Sequence, residues 1–576
     1  MTRAWMVEER MYLWVRGVTL RLDPRRRLPA RGSAWKKETL GLVKRVAGCR
    51  GLARIALQWR GAWLAVWWVL PLAWVPSFAA PAPTERVVRS SGSLSVGKFY
   101  RFSRKPDGIW RDQLPTRWSD GAKLTDEEVG IEGRRVYSMK RFVGWSGAAR
   151  VDITLDLGCS REVTSVGVHL AAGQATRAAY PRRVGVLTRE EGEWALYATT
   201  ASLPRTPDGV SATWVELAGA PRRARFVTVR LEPSEADQKI LVDEIDVRGV
   251  IENRWRYVPD TGCYHGAFPV DEKGNLTIAA FEQQVGKSLA MVLWYHAMGR
   301  DAFAGLERVH RDVVCAQDRR RFLCVGWLPD LPASAIAEGA LDAYFEGWFT
   351  AAASAELPTP LWIRPMNEMN STWVKWGLDP QNFRRAWRRM YNIAEQLGVT
   401  RRHPFVWSPN HRSYPDEFWN KMGEYYPGDP YVDWVGVSVY PPDSPQRDDP
   451  DRYPSRRLQE CYDLFSLRKP MMIAEGGFSD SVDRVRWVKE WFSDLPQKYP
   501  GIKAFIWENH HTRRIELDAA ALEAYRTLVA GPYWLGSPWG RDWDTPSPDG
   551  RSVAFTSSSA PAAGAPPAEG AQPAAG

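Results

Sequence analysis

Residues 361–376 gather the side chains with the most chemical potential in this chain. The apolar run Leu361-Trp362-Ile363, preceded by Pro358 and Pro360, reads as a short buried strand. Its carboxyl end delivers Asn367 and Glu368, then Asn370, Trp373 and Trp376. Indoles cover the C–H faces of a sugar ring, carboxamides bond its hydroxyls, and an acid protonates its bridging oxygen. The competing account is a surface turn with a solvated glutamate. A second acid, Glu475, ends the greasy stretch KPMMIAEGGF. Two carboxylates converging on one ligand can divide into a proton donor and a nucleophile, provided one stays protonated and the other ionised. Tyr440 and Arg364 are candidate donors that would hold Glu475 charged.

These residues need a frame that brings strand ends together. Apolar runs at 264–270, 288–299, 321–329, 361–365, 404–410, 432–440, 469–478 and 502–511 alternate with helical segments. One of these, over 381–397, places Phe383, Trp387, Met390, Ile393, Ala394 and Leu397 at three-to-four spacing. Eight such repeats predict a (β/α)8 TIM barrel over 251–535. Its strand ends carry His296, Trp327, Glu368, Asn410, Tyr440, Glu475 and Trp507 at the face where barrel enzymes work.

Residues 85–250 read differently. Short alternating runs such as RVDITLDLG and ARFVTVRLE, separated by turn residues, predict an antiparallel β-sandwich or jelly roll. The chain is therefore expected to be multidomain: a leader over 1–80, the sandwich, the barrel, and a Pro/Ala/Gly-rich disordered tail over 536–576.

Of the +10 formal charge, residues 1–79 hold 15 Lys and Arg against 4 Asp and Glu, leaving 62 against 63 in the remainder. That balance argues against a nucleic-acid partner. The uncharged run 61–80 follows Arg45, Arg50, Arg54 and Arg60, and Ser77 and Ala79 put small residues at −3 and −1 of a cut after Ala79. We expect a secreted protein, outside the membrane after cleavage, since Pro71 and Pro76 disfavour a spanning helix. The long basic stretch before that run suggests a translation start downstream of Met11, near Val43. The scattered Cys159, Cys263, Cys315, Cys324 and Cys461 show no zinc spacing and are expected to be mostly buried thiols, with a Cys315–Cys324 bridge as the one pairing to consider.

Three ordered motifs carry a resemblance. RPMNEMNSTW, YPGDPYVDWVGVSVY and KPMMIAEGG resemble glycoside hydrolase family 26, clan A barrels typified by β-mannanases. The resemblance implies Glu368 as acid/base, Glu475 as nucleophile, Tyr440 as the tyrosine on the nucleophile, and Trp373 as the conserved tryptophan. It also implies Trp507 beneath the sugar at the cleavage point and His296 in the sugar site; Asn367 and Trp376, read from the residues themselves, join them as expected sugar contacts. It implies a polysaccharide partner, β-1,4-mannan leading, no catalytic cofactor, and a retaining double displacement. Another β-glycan (mixed-linkage glucan, xylan or bacterial exopolysaccharide) or non-catalytic glycan binding are the alternatives. The residue before the acid is histidine in most of the family and Asn367 here, which bears on the sugar's 2-hydroxyl. Glu508, His510 and His511 either contact a charged sugar or form a solvated loop. Residues 118–130 with the strands ITLDLG and VDEIDVRG resemble galactose-binding-like, discoidin-type domains, which implies a structural calcium near Asp120, Asp126 and Glu244.

Overall fold

The computed structural model describes residues 86–538 apart from 108–109, 113–115, 131–140, 148–149, 175–176, 236, 442–453 and 480–481, together with three strands near the amino terminus. The chain separates into two compact units, Met1–Ser77 and Phe78–Gly576. In the first, β1 (Arg3–Val7), β2 (Arg10–Val15) and β3 (Val18–Leu22) pair as an antiparallel meander. The expected signal run 61–80 and the tail from 539 lie outside the described residues. Among the described residues, no helix is long and apolar enough to cross a membrane.

The second unit begins with an antiparallel sheet. Its strands are β4 (Arg86–Ser93), β5 (Phe99–Phe102), β6 (Val143–Ser146), β7 (Val151–Ala172), β8 (Arg183–Arg189), β9 (Ala195–Thr200), β10 (Ser211–Glu232) and β11 (Lys239–Trp255). They run in the order β4-β11-β7-β10-β8-β9, with β5 on β7 and β6 on β11. The run RVDITLDLG is the first part of one 22-residue strand, β7, paired with the equally long β10. Register shifts between Ala218 and Arg222 and between Ala224 and Phe226 let so long a pair bend and twist. Along the first half of β7 burial alternates, so Val151, Ile153, Leu155 and Leu157 enter the core.

The barrel follows. Its strands are β12 (Cys263–Pro269), β13 (Met291–Met298), β14 (Phe322–Pro329), β15 (Leu361–Pro365), β16 (Val406–Trp407), β17 (Trp434–Val439), β18 (Met471–Gly476) and β19 (Ile502–Asn509). All pair in parallel with their sequence neighbours; β19 returns to β12, and an Ile363–Phe405 bridge joins β15 to β16 and closes the ring. Nearly every strand residue is buried, because the lumen fills with side chains on one face while helices cover the other. The strand alternation read from the sequence is thus realised as the (β/α)8 barrel.

The five cysteines beyond residue 100 are all free thiols, so the Cys315–Cys324 bridge is not formed. Cys324 lies in the lumen near Arg364, whereas the Cys315 thiol donates to the Arg321 carbonyl.

Candidate active site

Glu368 lies three residues past β15 on strained backbone. Met366 and Glu368 have φ of 50° and 58°, in the left-handed region that residues with a Cβ usually avoid. Two cross-strand bonds hold this turn: Met366 N–H donates to the Trp327 carbonyl at 3.0 Å, and Glu368 N–H to that of Ser408 at 2.9 Å. The carboxylate that results is buried. It accepts from the Trp373 indole at 2.7 Å and the Asn410 amide at 3.2 Å. Asn370, fully buried, fixes Asn410 reciprocally: its amide donates to the Asn410 carbonyl at 3.0 Å, and its oxygen accepts the Asn410 N–H at 2.9 Å.

Glu475 reaches the same pocket from β18. Pairing there skips a residue: Ile473 faces Val437 and Glu475 faces Ser438, so Ala474 is left over. Such a bulge re-aims the following side chain. Glu475 accepts from the hydroxyls of Tyr295 and Tyr440 (the latter at 2.9 Å) and from the Arg364 guanidinium. Arg364, with no exposed surface, also donates to Ser438 Oγ at 3.0 Å. Gly326 makes this possible on the neighbouring strand: a Cβ there would stand 2.5 Å from the Tyr295 ring.

The two acids are tuned apart. Burial and then the Glu475 charge raise Glu368 above the usual carboxylate range, outweighing the Trp373 N–H. Burial acts upward on Glu475 too, but Arg364 with the Tyr295 and Tyr440 hydroxyls overcomes it and holds Glu475 below that range. One carboxyl is poised to give a proton and the other to carry charge, which is the division acid-assisted glycosyl chemistry requires.

The other expected residues fall on both sides of the pocket wall. Trp373 is half-buried and tilts against Tyr414, ring centroids 5.2 Å apart. Asn367 keeps its side-chain oxygen buried and without a hydrogen-bond partner, an arrangement that costs free energy until a donor arrives. Trp376 is a brace, its buried indole donating to the Asn367 carbonyl at 2.9 Å. His296 does not enter the pocket. It faces the helix Asp342–Ser354, accepting from Trp348 at 3.3 Å, with Asp301 3.8 Å away. Trp507 also points outwards, wholly buried among Phe478, Phe505 and Tyr525, so no face is free for a sugar. Successive strand residues face opposite ways, so the inward positions belong to Tyr295 and Glu508. Neither could be told from its neighbour in sequence, because these strands are apolar on both faces. Glu508 is buried with Arg513 at 3.0 Å, and burial together with the Glu475 charge pushes it up to about 7 against the pull of Arg513.

The expected calcium ligands do not converge. Asp120 accepts from Arg101 at 3.0 Å and from the Phe102 N–H at 2.8 Å, while Asp126 and Glu244 lie near each other and near Asp243. Among the described residues, no group of three or more His, Cys, Asp or Glu is gathered to hold a metal ion. Burial pushes Asp126 up to about 7 against the pull of Arg141 and Arg385, and burial with the Asp126 charge pushes Glu244 up to about 9.

Comparison with known proteins fits this geometry. An endoglucanase H of Acetivibrio thermocellus is 25% identical over 287 residues, 47% of this chain and 31% of its own length. A mannan endo-1,4-beta-mannosidase of Bacillus subtilis is 26% identical over 186 residues, 30% of this chain and 46% of its own. A beta-1,3-xylanase of an Alcaligenes species is 22% identical over 198 residues, 34% and 38% respectively. The chain thus spans between about a third and a half of these relatives. The solved Bacillus subtilis mannanase BCman aligns at 18% identity and TM-score 0.37 over 51% of this chain and 92% of its own. Residues 348–481, with Glu368 and Glu475 inside them, match Glycosyl hydrolase family 26.

Proposed function

We propose that this chain is a secreted, retaining glycoside hydrolase that cleaves a β-linked polysaccharide, with β-1,4-mannan the leading substrate. The observation that carries this reading is the opposite tuning of Glu368 and Glu475 in one buried pocket. Glu475, ionised and held by Arg364, attacks the anomeric carbon while Glu368 protonates the departing oxygen. Water then enters, gives a proton to Glu368, and releases the sugar from Glu475 with net retention.

Mannan leads because mannan endo-1,4-beta-mannosidases are among the relatives that align with this chain. Asn367 favours a second reading, another β-glycan. Its unpaired amide oxygen is a hydrogen-bond acceptor where most of the family places a histidine, and this position bears on the 2-hydroxyl that separates mannose from glucose. The relatives named endoglucanase and beta-1,3-xylanase keep that reading open. A reducing-sugar assay over mannan, glucomannan, lichenan, xylan and exopolysaccharides decides between them. Glu475→Ala should lower kcat by about 10³-fold or more on whichever glycan is cleaved. Undiminished activity in that variant would falsify the role given to Glu475. Secretion is tested by N-terminal sequencing of the exported protein, expected to begin near residue 80.

The antiparallel domain we read as a galactose-binding-like sandwich that braces the barrel. Its contact with helix Pro380–Gln396, which follows the strand bearing Glu368, supports that role.

A further inference from the structure

Glu508 is a third carboxylate in the pocket, and the two-glutamate reaction leaves it without a task. Strand alternation that turns Trp507 outwards turns Glu508 in, where it is 3% exposed. Its Oε2 lies 3.0 Å from Arg513 Nη1 yet makes no well-formed hydrogen bond. The same guanidinium covers Tyr440, Cζ standing 4.4 Å from the ring centroid. Arg513 therefore joins Glu508 to the tyrosine that donates to Glu475, and the Tyr440 hydroxyl is within reach of Glu508 as well. The charged and titratable groups facing Glu508 are Tyr295 on β13, Glu368 after β15, Tyr440 after β17, Glu475 on β18 and Arg513 after β19. A phenol has one proton to donate, so Tyr440 serves one carboxylate at a time.

We propose that Glu508, held by Arg513, is a positioning residue that receives the Tyr440 hydrogen bond while Glu475 is bonded to sugar. This rests on Glu475 being the nucleophile. In the first step the C1–oxygen bond to the leaving group breaks, and its electron pair stays on the leaving oxygen, which takes the Glu368 proton. A Glu475 oxygen bonds to C1, and the resulting ester is a poorer acceptor than the carboxylate was. Tyr440 then turns to Glu508, the ionisable acceptor beside it. In the second step water bonds to C1 and passes a proton to Glu368. The ester's C1–oxygen bond breaks with its electrons returning to Glu475, and Tyr440 turns back.

The test compares Glu508→Gln, Tyr440→Phe and the double variant, each checked for folding by thermal melting. E508Q keeps the shape and removes the charge. It should lower kcat about tenfold with KM little changed, and it should move the pH profile of kcat. In the Y440F background, E508Q should add nothing. If the two effects multiply, or if E508Q raises KM and leaves kcat intact, Glu508 acts on substrate instead and the proposal falls. Should E508Q fail to fold, Arg513→Gln in the same pairwise design with Y440F decides the matter by the same criterion. Activity surviving in Glu475→Ala would overturn the nucleophile assignment itself; with that variant inactive, the coupling alone judges Glu508.

Discussion

Replacing Glu368 by Gln keeps the shape and removes the proton; its one amide oxygen keeps one of the two donors, Trp373 or Asn410. On a polysaccharide, where the leaving oxygen needs that proton, kcat should fall by about 10²–10⁴-fold. On an aryl glycoside with an acidic phenol the first step should be largely spared, and steady-state kinetics on the two substrates checks the contrast. The tuning of the pair also sets the sign of the pH response. Glu475 is held below the ordinary carboxylate range, and the proposed reaction uses it ionised, so activity should fall as pH drops through that low value. Glu368 is held above it, and the proposed reaction uses it protonated, so activity should fall as pH rises through the higher one. A bell-shaped kcat/KM profile whose alkaline limb disappears in E368Q is the expected result; an unchanged limb would sink the assignment. That Glu368 and Glu475 meet in one pocket was legible from motif and strand position. The parity of their neighbours was not. His296 and Tyr295, like Trp507 and Glu508, differ by one place on strands buried on both faces, and only the closed ring shows which of each pair meets the pocket.

Secondary-structure elements position these groups by devices that leave faint traces in sequence. The bulge at Ala474 aims Glu475, and nothing in KPMMIAEGG marks a skipped pairing. The positive-φ turn at Met366 and Glu368 is equally silent, since neither residue is glycine. Asn370 is more informative, a buried carboxamide whose three bonds tie the Glu368 turn to the segment carrying Asn410 and Ser413. Asn370→Ala should cost roughly 2 kcal/mol of stability. It should also reduce kcat on polysaccharide more than on the activated aryl glycoside, because the loosened partner is the proposed proton donor, Glu368. Equal losses on both substrates would show that Asn370 serves folding only. The barrel strands themselves were readable because apolar runs alternate with helical periods. In the antiparallel sheet the long β7 and β10 were not, because irregular pairing looks like a turn in one dimension.

At the scale of the molecule, the sheet and the barrel share a polar seam. Lys98 donates to Asn392 at 2.9 Å and Glu395 at 2.6 Å, both on helix Pro380–Gln396, and lies 4.9 Å over the Tyr431 ring. Arg161 adds a second contact to Glu395 at 3.3 Å, and Asn392 donates to the Gly97 carbonyl at 2.7 Å. The Lys98 and Glu395 side chains are 3% and 6% exposed, so removing Glu395 strands the buried Lys98 charge, and removing Lys98 leaves Glu395 with Arg161 as its remaining cation. Lys98→Ala should destabilise the protein by about 3–5 kcal/mol, and Lys98→Ala with Glu395→Ala by less than the sum of the single changes. Chemical denaturation of the four proteins measures it, and additive losses would refute the pairing. No sequence pattern announced this seam, since its partners stand 297 residues apart.

Gly158 meets the same helix with φ +84°, and a Cβ there would sit 1.8 Å from the Glu395 carboxylate. The join therefore tolerates only a bare backbone on one side and one acid on the other. This barrel cannot be recombined freely with foreign front modules: a cassette lacking the glycine and the lysine would collide with, or strand, the helix that follows Glu368. Shuffled chimeras should survive only where the crossover lies ahead of residue 86, and the two portions are expected to have diverged as a matched set.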